Sequence, residues 1–167
     1  MASACHFGPL FLQAVTSQGY TAPTPVQMQA VPVLAARRSA IVLAETGSGK
    51  SLAFIAPLLE LVKRGDGLSA IVIAPTRELT IQLYKEFLMF QESRLQSSPR
   101  VRFLRKALMP TNEDALQKFL KTTEILVASP LKAAQLTEKF PNIPNVKFLV
   151  IDEADKMFEL GFLEQVD

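Results

Sequence analysis

The stretch Ala40-Ile41-Val42-Leu43-Ala44-Glu45-Thr46-Gly47-Ser48-Gly49-Lys50-Ser51 decides how the rest of the chain is read. It begins as a short continuous apolar run, the pattern of a strand buried on both faces. It then turns through two glycines and opens a segment of helical length, Ser51–Val62. Strand, Gly-rich turn and helix in that order form the setting a phosphate-binding loop needs. Gly47 and Gly49 let backbone N–H groups turn inward around phosphate oxygens, and the helix N-terminus adds a favourable dipole. Lys50 can reach the β- and γ-phosphates of a nucleotide, and the Ser51 hydroxyl can hold Mg2+. The strict motif has Gly where this chain has Ala44. A ligand-free Gly-rich turn is the bland alternative, but Gly-Ser-Gly-Lys-Ser after a buried strand has few structural reasons to exist.

Similar apolar runs recur at 70–74, 125–128 and 148–151, with a weaker one at 101–104. Helix-length segments separate them. Arg77–Phe90 has Leu79, Leu83 and Phe87 spaced by four. Asn112–Leu120 starts on a good N-cap, with Glu113 and Asp114 suited to the dipole of its first turn. Leu131–Lys139 follows Ser129-Pro130. Strands alternating with helices predict an α/β fold, a mostly parallel sheet with helices on both faces. Before the first run, Pro9–Ser17 and Thr24–Ala36 read as two helices. Pro25 suits the first helical position, and Pro32 should kink the second helix or mark its end.

The run Phe148-Leu149-Val150-Ile151 ends in Asp152-Glu153-Ala154-Asp155. Carboxylates at the C-terminal end of a parallel strand face the ligand crevice of an open α/β sheet. Asp152 suits a Mg2+ shell, through water, and Glu153 suits general-base work on an attacking water. Alone, such residues are as often helix caps. The phosphate loop about 100 residues earlier tips the balance towards chemistry.

Composition narrows the alternatives. At 167 residues and 49% hydrophobic, the chain has the size of one domain and the means to build a core. No apolar run approaches the roughly 18 residues a membrane-spanning helix needs. A single Cys5 excludes an internal disulfide framework and suits a reducing compartment. With Cys5 and His6 as the only residues of their kinds, Cys-rich zinc sites and two-His metal motifs are excluded as well. The first residues carry no basic stretch followed by an apolar core, so they do not read as a secretory signal. The net charge of +2 implies no particular partner, but its distribution is uneven. Ser93–Asn112 holds Arg94, Arg100, Arg102, Arg105 and Lys106 and no acidic residue. That run reads equally well as a solvated edge or as a surface for a phosphate backbone.

Together these motifs resemble the first RecA-like domain of a DEAD-box ATP-dependent RNA helicase, a P-loop NTPase fold. Asp152-Glu153-Ala154-Asp155 spells the family's name, and the phosphate loop has the family's Ala-x-Thr-Gly-Ser-Gly-Lys form. Gly19-Tyr20-Thr21-Ala22-Pro23-Thr24-Pro25-Val26-Gln27 resembles the adenine-recognising Q motif. Pro75-Thr76-Arg77-Glu78-Leu79 resembles an RNA-backbone motif. The resemblance implies that Tyr20, Gln27 and the run Thr46, Gly47, Ser48, Gly49, Lys50 and Ser51 bind ATP or ADP. It implies catalysis by Lys50, Asp152 and Glu153, with Ser51 and Asp152 as Mg2+ ligands. Pro75, Thr76, Arg77, Ser129 and Lys132 would touch RNA, a single strand or a short duplex, mainly through its backbone.

The chain also departs from the family's pattern. Ser51 replaces a usual Thr and keeps the hydroxyl. Lys106-Ala107-Leu108-Met109-Pro110 stands where a glycine pair is usual. Ser129-Pro130-Leu131-Lys132 replaces Thr-Pro-Gly-Arg, and Lys132 keeps the charge without the bidentate fork. The adenine-stacking aromatic falls in register near Ala2, so it is absent or supplied by Phe7. Ser129-Pro130-Leu131, Asp155-Lys156-Met157-Phe158 and Phe162-Leu163-Glu164-Gln165 resemble the branch acting in small-subunit ribosome biogenesis. That branch implies a nuclear or nucleolar site and ribosome-assembly proteins as partners, with no membrane.

The expected organisation is residues 1–38 as N-terminal helices with the Q motif, packed on a RecA-like ATP-binding domain at 39–167. By the resemblance this domain is C-terminally incomplete. No Ser-Ala-Thr motif follows Asp155, and the second RecA-like domain with its arginine finger is absent. The strand carrying Ser-Ala-Thr would lie between the strands of Lys50 and Asp152, leaving a gap with unpaired backbone groups. The 167 residues alone would then hydrolyse almost no ATP. The alternatives are a non-catalytic RNA-binding assembly scaffold that keeps the nucleotide site, and a DNA-directed or other P-loop NTPase. Intact Lys50, Asp152 and Glu153 weigh against the first, and Gln27 against the second.

Overall fold

The four-residue apolar runs build the sheet. The computed structural model describes residues 16, 19–91, 98–105, 108–141, 143 and 146–162. Among them are the strands β1 (Ala70–Ile73), β2 (Val101–Phe103), β3 (Ile125–Ala128) and β4 (Phe148–Ile151). They form one sheet in the order β2-β3-β1-β4. All three pairings are parallel. The helices are α1 (Pro25–Ala35), α2 (Lys50–Leu61), α3 (Arg77–Gln91), α4 (Glu113–Lys121), α5 (Pro130–Lys139) and α6 (Ala154–Glu159). None of the described helices is long and apolar enough to cross a membrane.

The chain packs as two compact units. Met1–Lys63 with Phe87–Ser98 is the first, and Arg64–Glu86 with Pro99–Asp167 is the second. In the first, Ala30 and Val31 of α1 meet Ala53 of α2, with Leu34 and Val42 packed alongside. In the second, register sorts the strand residues by face. Ile71 lies opposite Leu126, and Ile73 opposite Ala128. Leu126, Ala128 and Ile73 belong to a core with Leu116, Phe119 and Leu120 of α4, Leu136 of α5 and Met157 of α6. The alternate residues Val72, Ile125 and Val127 are buried too. A strand buried on both faces loses the in–out alternation, which is why β3 reads as an unbroken apolar run.

The N-terminal end of the sheet is tied by one carboxylate. Glu124 precedes β3, Arg100 precedes β2, and the parallel register sets them side by side. The Glu124 side chain is fully buried. Its Oε2 accepts from Arg100 N at 2.6 Å and from Arg100 Nε at 3.0 Å. Its Oε1 accepts from Gly65 N at 3.1 Å and also from Arg100 Nη2. Arg100 Nη2 further donates to Lys121 O at 2.6 Å. Burial pushes the Glu124 carboxyl upward. The hydrogen bonds from the Arg100 side chain and from the Arg100 and Gly65 backbone outweigh it and hold the group below the usual carboxylate range.

Two expectations need correction. Ala40–Ala44 is not a strand among the described residues. Ile41 and Leu43 are 93% and 91% exposed, whereas Val42 between them is half-buried against α1 and α2. Without a strand partner, only the side chain that meets the helices is covered. β4 is likewise not buried on both faces: Leu149 is 59% exposed, and Ile151 is exposed as well. β1 is the only described strand paired with β4, so one β4 edge has no strand beside it among the described residues. Pro32 lies inside α1, as the expected helix Thr24–Ala36 has it, and of the two alternatives it does not mark the end, since α1 runs on to Ala35. Pro32 is exposed, so its ring needs no room in the core. Of the expected helix Pro9–Ser17, all but Thr16 lies outside the described residues, as do Ala2 and Phe7.

Candidate nucleotide-binding and RNA-contact sites

In the first unit the sequence builds a Gly-rich loop, the candidate phosphate cradle. Gly47 and Gly49 have φ of +81° and +88°, values that a side chain would strain. Gly49 is also the N-cap of α2. A Cβ added to Gly49 would fall against Gln27 Nε2, closer than real Cβ atoms come to any neighbour. Ser48 N donates to Glu45 O at 3.2 Å, which tightens the turn. Lys50 and Ser51 open the 12-residue α2, so the unsatisfied N–H groups of its first turn face the loop. The Lys50 ammonium is folded back onto the loop and donates to Ala44 O at 2.5 Å and Glu45 O at 2.8 Å.

Gln27 joins the Q-motif segment to this loop. Thr24 and Gln27 form a capping box at the start of α1, where Thr24 N donates to Gln27 Oε1 at 3.0 Å. The amide's other end donates from Nε2 to Gly49 O at 3.1 Å. Gln27 is buried, and both ends of its amide are engaged. Tyr20 is exposed, its ring centroid 6.2 Å from that of Phe90 at a tilt of 44°. Thr46 and Gly47 are exposed at the loop's tip, whereas Ser48, Gly49, Lys50 and Ser51 are half-buried.

In the second unit, the remaining candidates gather at one sheet end. Ile73, Ala128 and Ile151 are level with one another across the three strands β3, β1 and β4. The residues that follow therefore leave the sheet side by side. Ala74 N donates to Ala128 O at 3.1 Å, and Asp152 N to Ile73 O at 2.9 Å. After β1, Thr76 Oγ1 accepts from Leu79 N at 3.2 Å and caps α3, leaving Arg77 exposed in the first turn. Pro75 is buried and shapes the turn. After β3, Ser129 stands at the N-cap position of α5 without a side-chain cap bond, and Pro130 opens the helix. Lys132 Nζ donates to Gln135 Oε1 at 2.7 Å on the same helix.

After β4, Glu153 has φ 53° and ψ 46°, a left-handed backbone that a non-glycine residue adopts only under constraint. Such strain clusters at functional positions. Its Oε2 lies 2.8 Å from Lys156 Nζ. The Glu153 carboxylate holds the Lys156 ammonium above the ordinary lysine range, and Asp155 and Asp152 add to the effect. Sequence reasoning did not find this pair or α6. The signal was present as Glu153 and Lys156 at a three-residue spacing.

Comparison with known proteins places the chain. A family model described as DEAD/DEAH box helicase matches residues 24–167. The Mus musculus protein named "Probable ATP-dependent RNA helicase DDX52" is 38% identical over 163 residues, which cover 93% of this chain and 27% of that protein. Its Dictyostelium discoideum namesake is 36% identical over 159 residues, covering 93% and 23%. The chain thus spans about a quarter of the length of these relatives. A crystal structure of a DEAD box protein from Methanococcus jannaschii matches with a TM-score of 0.82 at 32% identity, over 96% of this chain and 43% of that one. The RNA helicase Prp28 from Chaetomium thermophilum, bound to ADP, matches with a TM-score of 0.79 at 32% identity, over 96% and 40%. With its phosphate loop, its Asp-Glu-Ala-Asp strand end and a RecA-like parallel sheet, the chain belongs to the DEAD/DEAH box helicase family.

Proposed function

We propose that this chain is the ATP-binding, RNA-contacting RecA-like domain 1 of a DEAD-box RNA helicase, with a second RecA-like domain completing the motor. The observation that carries the reading is the bond from Gln27 Nε2 to Gly49 O. It places a side-chain amide, suited to reading the adenine edge in a bidentate way, directly on the phosphate loop.

The chemistry follows from the parts. Triphosphate oxygens meet the N–H groups of the loop and of the first turn of α2. Lys50 exchanges the carbonyls of Ala44 and Glu45 for the β- and γ-phosphates, a gain because a cation bonds an anion more strongly than a neutral carbonyl. Ser51 and Asp152 would hold Mg2+. Hydroxyl and carboxylate oxygens suit this hard cation, which keeps several waters and takes its other oxygens from phosphate. Such an ion supplies charge neutralisation as the γ-phosphoryl group leaves. Glu153 orients the attacking water and accepts its proton, held in place by Lys156. Thr76, Arg77, Ser129 and Lys132 take the RNA backbone at the ends of β1 and β3.

Ser129-Pro130-Leu131, Asp155-Lys156-Met157-Phe158 and Phe162-Leu163-Glu164-Gln165 support a role in small-subunit ribosome assembly, at a nuclear or nucleolar site with ribosome-assembly proteins. The test is RNA-stimulated ATP hydrolysis and duplex unwinding by the full-length protein carrying Lys50→Ala or Glu153→Gln. Each should lower turnover by at least about 10²-fold, the scale of a lost catalytic group. Wild-type turnover in either variant would remove the assigned roles. An unmutated protein without ATPase activity would favour the scaffold reading instead.

A further inference from the structure

The sheet has two ends, and the candidate RNA residues and the Asp-Glu-Ala-Asp segment stand only at the C-terminal one. One residue before each strand are Arg100, Glu124, Ser69 and Lys147, in the sheet order β2-β3-β1-β4. The parallel register makes them level: Val101 lies opposite Ile125, and Ala70 opposite both Ile125 and Phe148. The ladder continues through them, from Lys147 N to Ser69 O at 2.8 Å and from Ser69 N to Glu124 O at 2.9 Å. Neighbouring strands lie about 4.8 Å apart, so the row is roughly 14 Å long. Of the basic run 93–112, Arg100 stands in this row, and Arg94 and Lys106 lie outside the described residues.

Two further segments close on the row. Gly65 N donates to Glu124 Oε1 at 3.1 Å, and a Cβ on Gly67 would lie 3.4 Å from Leu120 O. Arg100 Nη2 donates to Lys121 O at 2.6 Å. The loop of Arg64 and Asp66 and the last turn of α4, with Lys118 and Lys121, therefore border the row. Lys118 and Lys121 are exposed and three residues apart, so they share one face of α4.

Charge is one-sided here. Segments 64–69, 99–100, 118–124 and 146–147 carry five cations, Arg64, Arg100, Lys118, Lys121 and Lys147, against two carboxylates, Asp66 and Glu124. Glu124 is buried and matched by Arg100. Asp66 stands 3.8 Å from Lys147 and both are exposed, a pair too weak to withdraw the lysine from other partners. No carboxylate among the described residues pairs with Lys118 or Lys121. Their place at the C-terminus of α4 suits its dipole, but the dipole accounts for neither Lys147 nor Arg64. Val146 is the one large apolar side chain exposed in these segments. A protein interface is built around a central apolar or aromatic anchor, whereas lysines on long stems suit the repeating charge of a phosphate backbone.

We propose that the N-terminal end of the sheet is a second RNA surface, where Lys118, Lys121 and Lys147 hold the phosphate backbone of RNA outside the motor. β1, β3 and β4 are each four residues long, so about 13 Å of strand separates this surface from the end that carries Thr76 and Ser129. A short strand held by those residues does not reach it, and a longer RNA does. The inference rests on RNA being the substrate and adds no contact at the motor end.

The experiment measures binding of two fluorescent RNAs by the full-length protein, from low to high salt. One is a short single strand, and the other is the same strand joined to a duplex long enough to pass from one sheet end to the other. The variant Lys118→Ala/Lys121→Ala/Lys147→Ala is compared with Lys118→Arg/Lys121→Arg/Lys147→Arg and with Lys85→Ala, an exposed lysine of α3. The alanine variant should weaken binding of the extended RNA by about tenfold at low salt, the combined scale of three exposed charge contacts. It should also make the plot of log K against log salt shallower by about 2, the value of three phosphates. Its affinity for the short strand and for ATP should equal that of the wild type, which separates a lost contact from a damaged fold. The arginine variant and Lys85→Ala should bind both RNAs as the wild type does. Wild-type binding of the extended RNA by the alanine variant would overturn the inference, leave the motor-end reading standing and point to an acidic protein segment instead. Equal weakening of both RNAs would overturn it as well. Failure of the unmutated protein to bind either RNA would overturn the RNA reading itself, and the inference with it.

Discussion

Glu124 shows how much one side chain can hold. It is fully buried, yet three backbone or side-chain donors of Arg100 and the N–H of Gly65 converge on its two oxygens. It thereby fixes the starts of β2 and β3 and the loop before β1. A group whose folded pKa is depressed gives stability above its unfolded pKa and loses it as pH falls through the folded value. The Glu124 shift is downward, so its contribution should be whole above about pH 4.5 and fade below it. Urea unfolding measured from pH 7 down to pH 3 should show this loss, and Glu124→Gln should flatten it. At pH 7 Glu124→Ala should cost about 3 kcal/mol, because it strands the donors around it. Equal unfolding midpoints for Glu124→Ala and wild type at pH 7 would refute the clamp. The pair was written in the sequence as opposite charges, each one residue before an apolar strand. Only the knowledge that β2 and β3 are neighbours in register makes that legible.

At the scale of elements, local signals carried furthest. Ile125–Ala128 and Phe148–Ile151 have the bounds their apolar runs predict. Asn112 caps α4 as its side chain suggests, accepting from Ala115 N at 2.9 Å. The ends of α2, α3 and α5 fall within one residue of expectation, since Gly49, Thr76 and Ser129 mark where each begins. At Pro32 packing offsets a local penalty. A proline inside a helix removes one backbone bond and crowds the preceding turn, but the packing of Ala30, Val31 and Leu34 against Ala53 holds α1 through it. Because Pro32 is exposed, its removal loses no core contact. Pro32→Ala should therefore stabilise the protein by about 1–3 kcal/mol, read as a higher thermal unfolding midpoint. A lower midpoint would mean that the proline fixes the geometry of the capping box at Thr24 and Gln27.

Over the whole molecule, what the sequence could not show was the set of long-range partners. An apolar run says that a segment seeks burial, not which neighbour provides it. Ala40–Ala44 reads like β3, yet β3 has β1 and β2 beside it, while Ala40–Ala44 has no strand partner among the described residues. The candidate sites were more legible than the packing, because phosphate and adenine binding would fix residue types at short spacings: Gly47, Gly49 and Lys50 in one loop, Gln27 within one capping box. Less legible was the state of those groups, with Lys50 turned onto its own loop's carbonyls and Gln27 bonded to Gly49. Both contacts are ones a nucleotide would replace or use, so adenine recognition and phosphate binding should be felt together. The most direct measurement is calorimetric titration of the full-length protein, and of its Gln27→Ala and Lys50→Ala variants, with ATP and with GTP in the presence of Mg2+. The account predicts that ATP binds at least about tenfold more tightly than GTP, the scale of a bidentate amide–base contact. Gln27→Ala should abolish that preference, and Lys50→Ala should weaken both nucleotides. Equal affinity for ATP and GTP in the unmutated protein, or ATP binding untouched by Lys50→Ala, would contradict it.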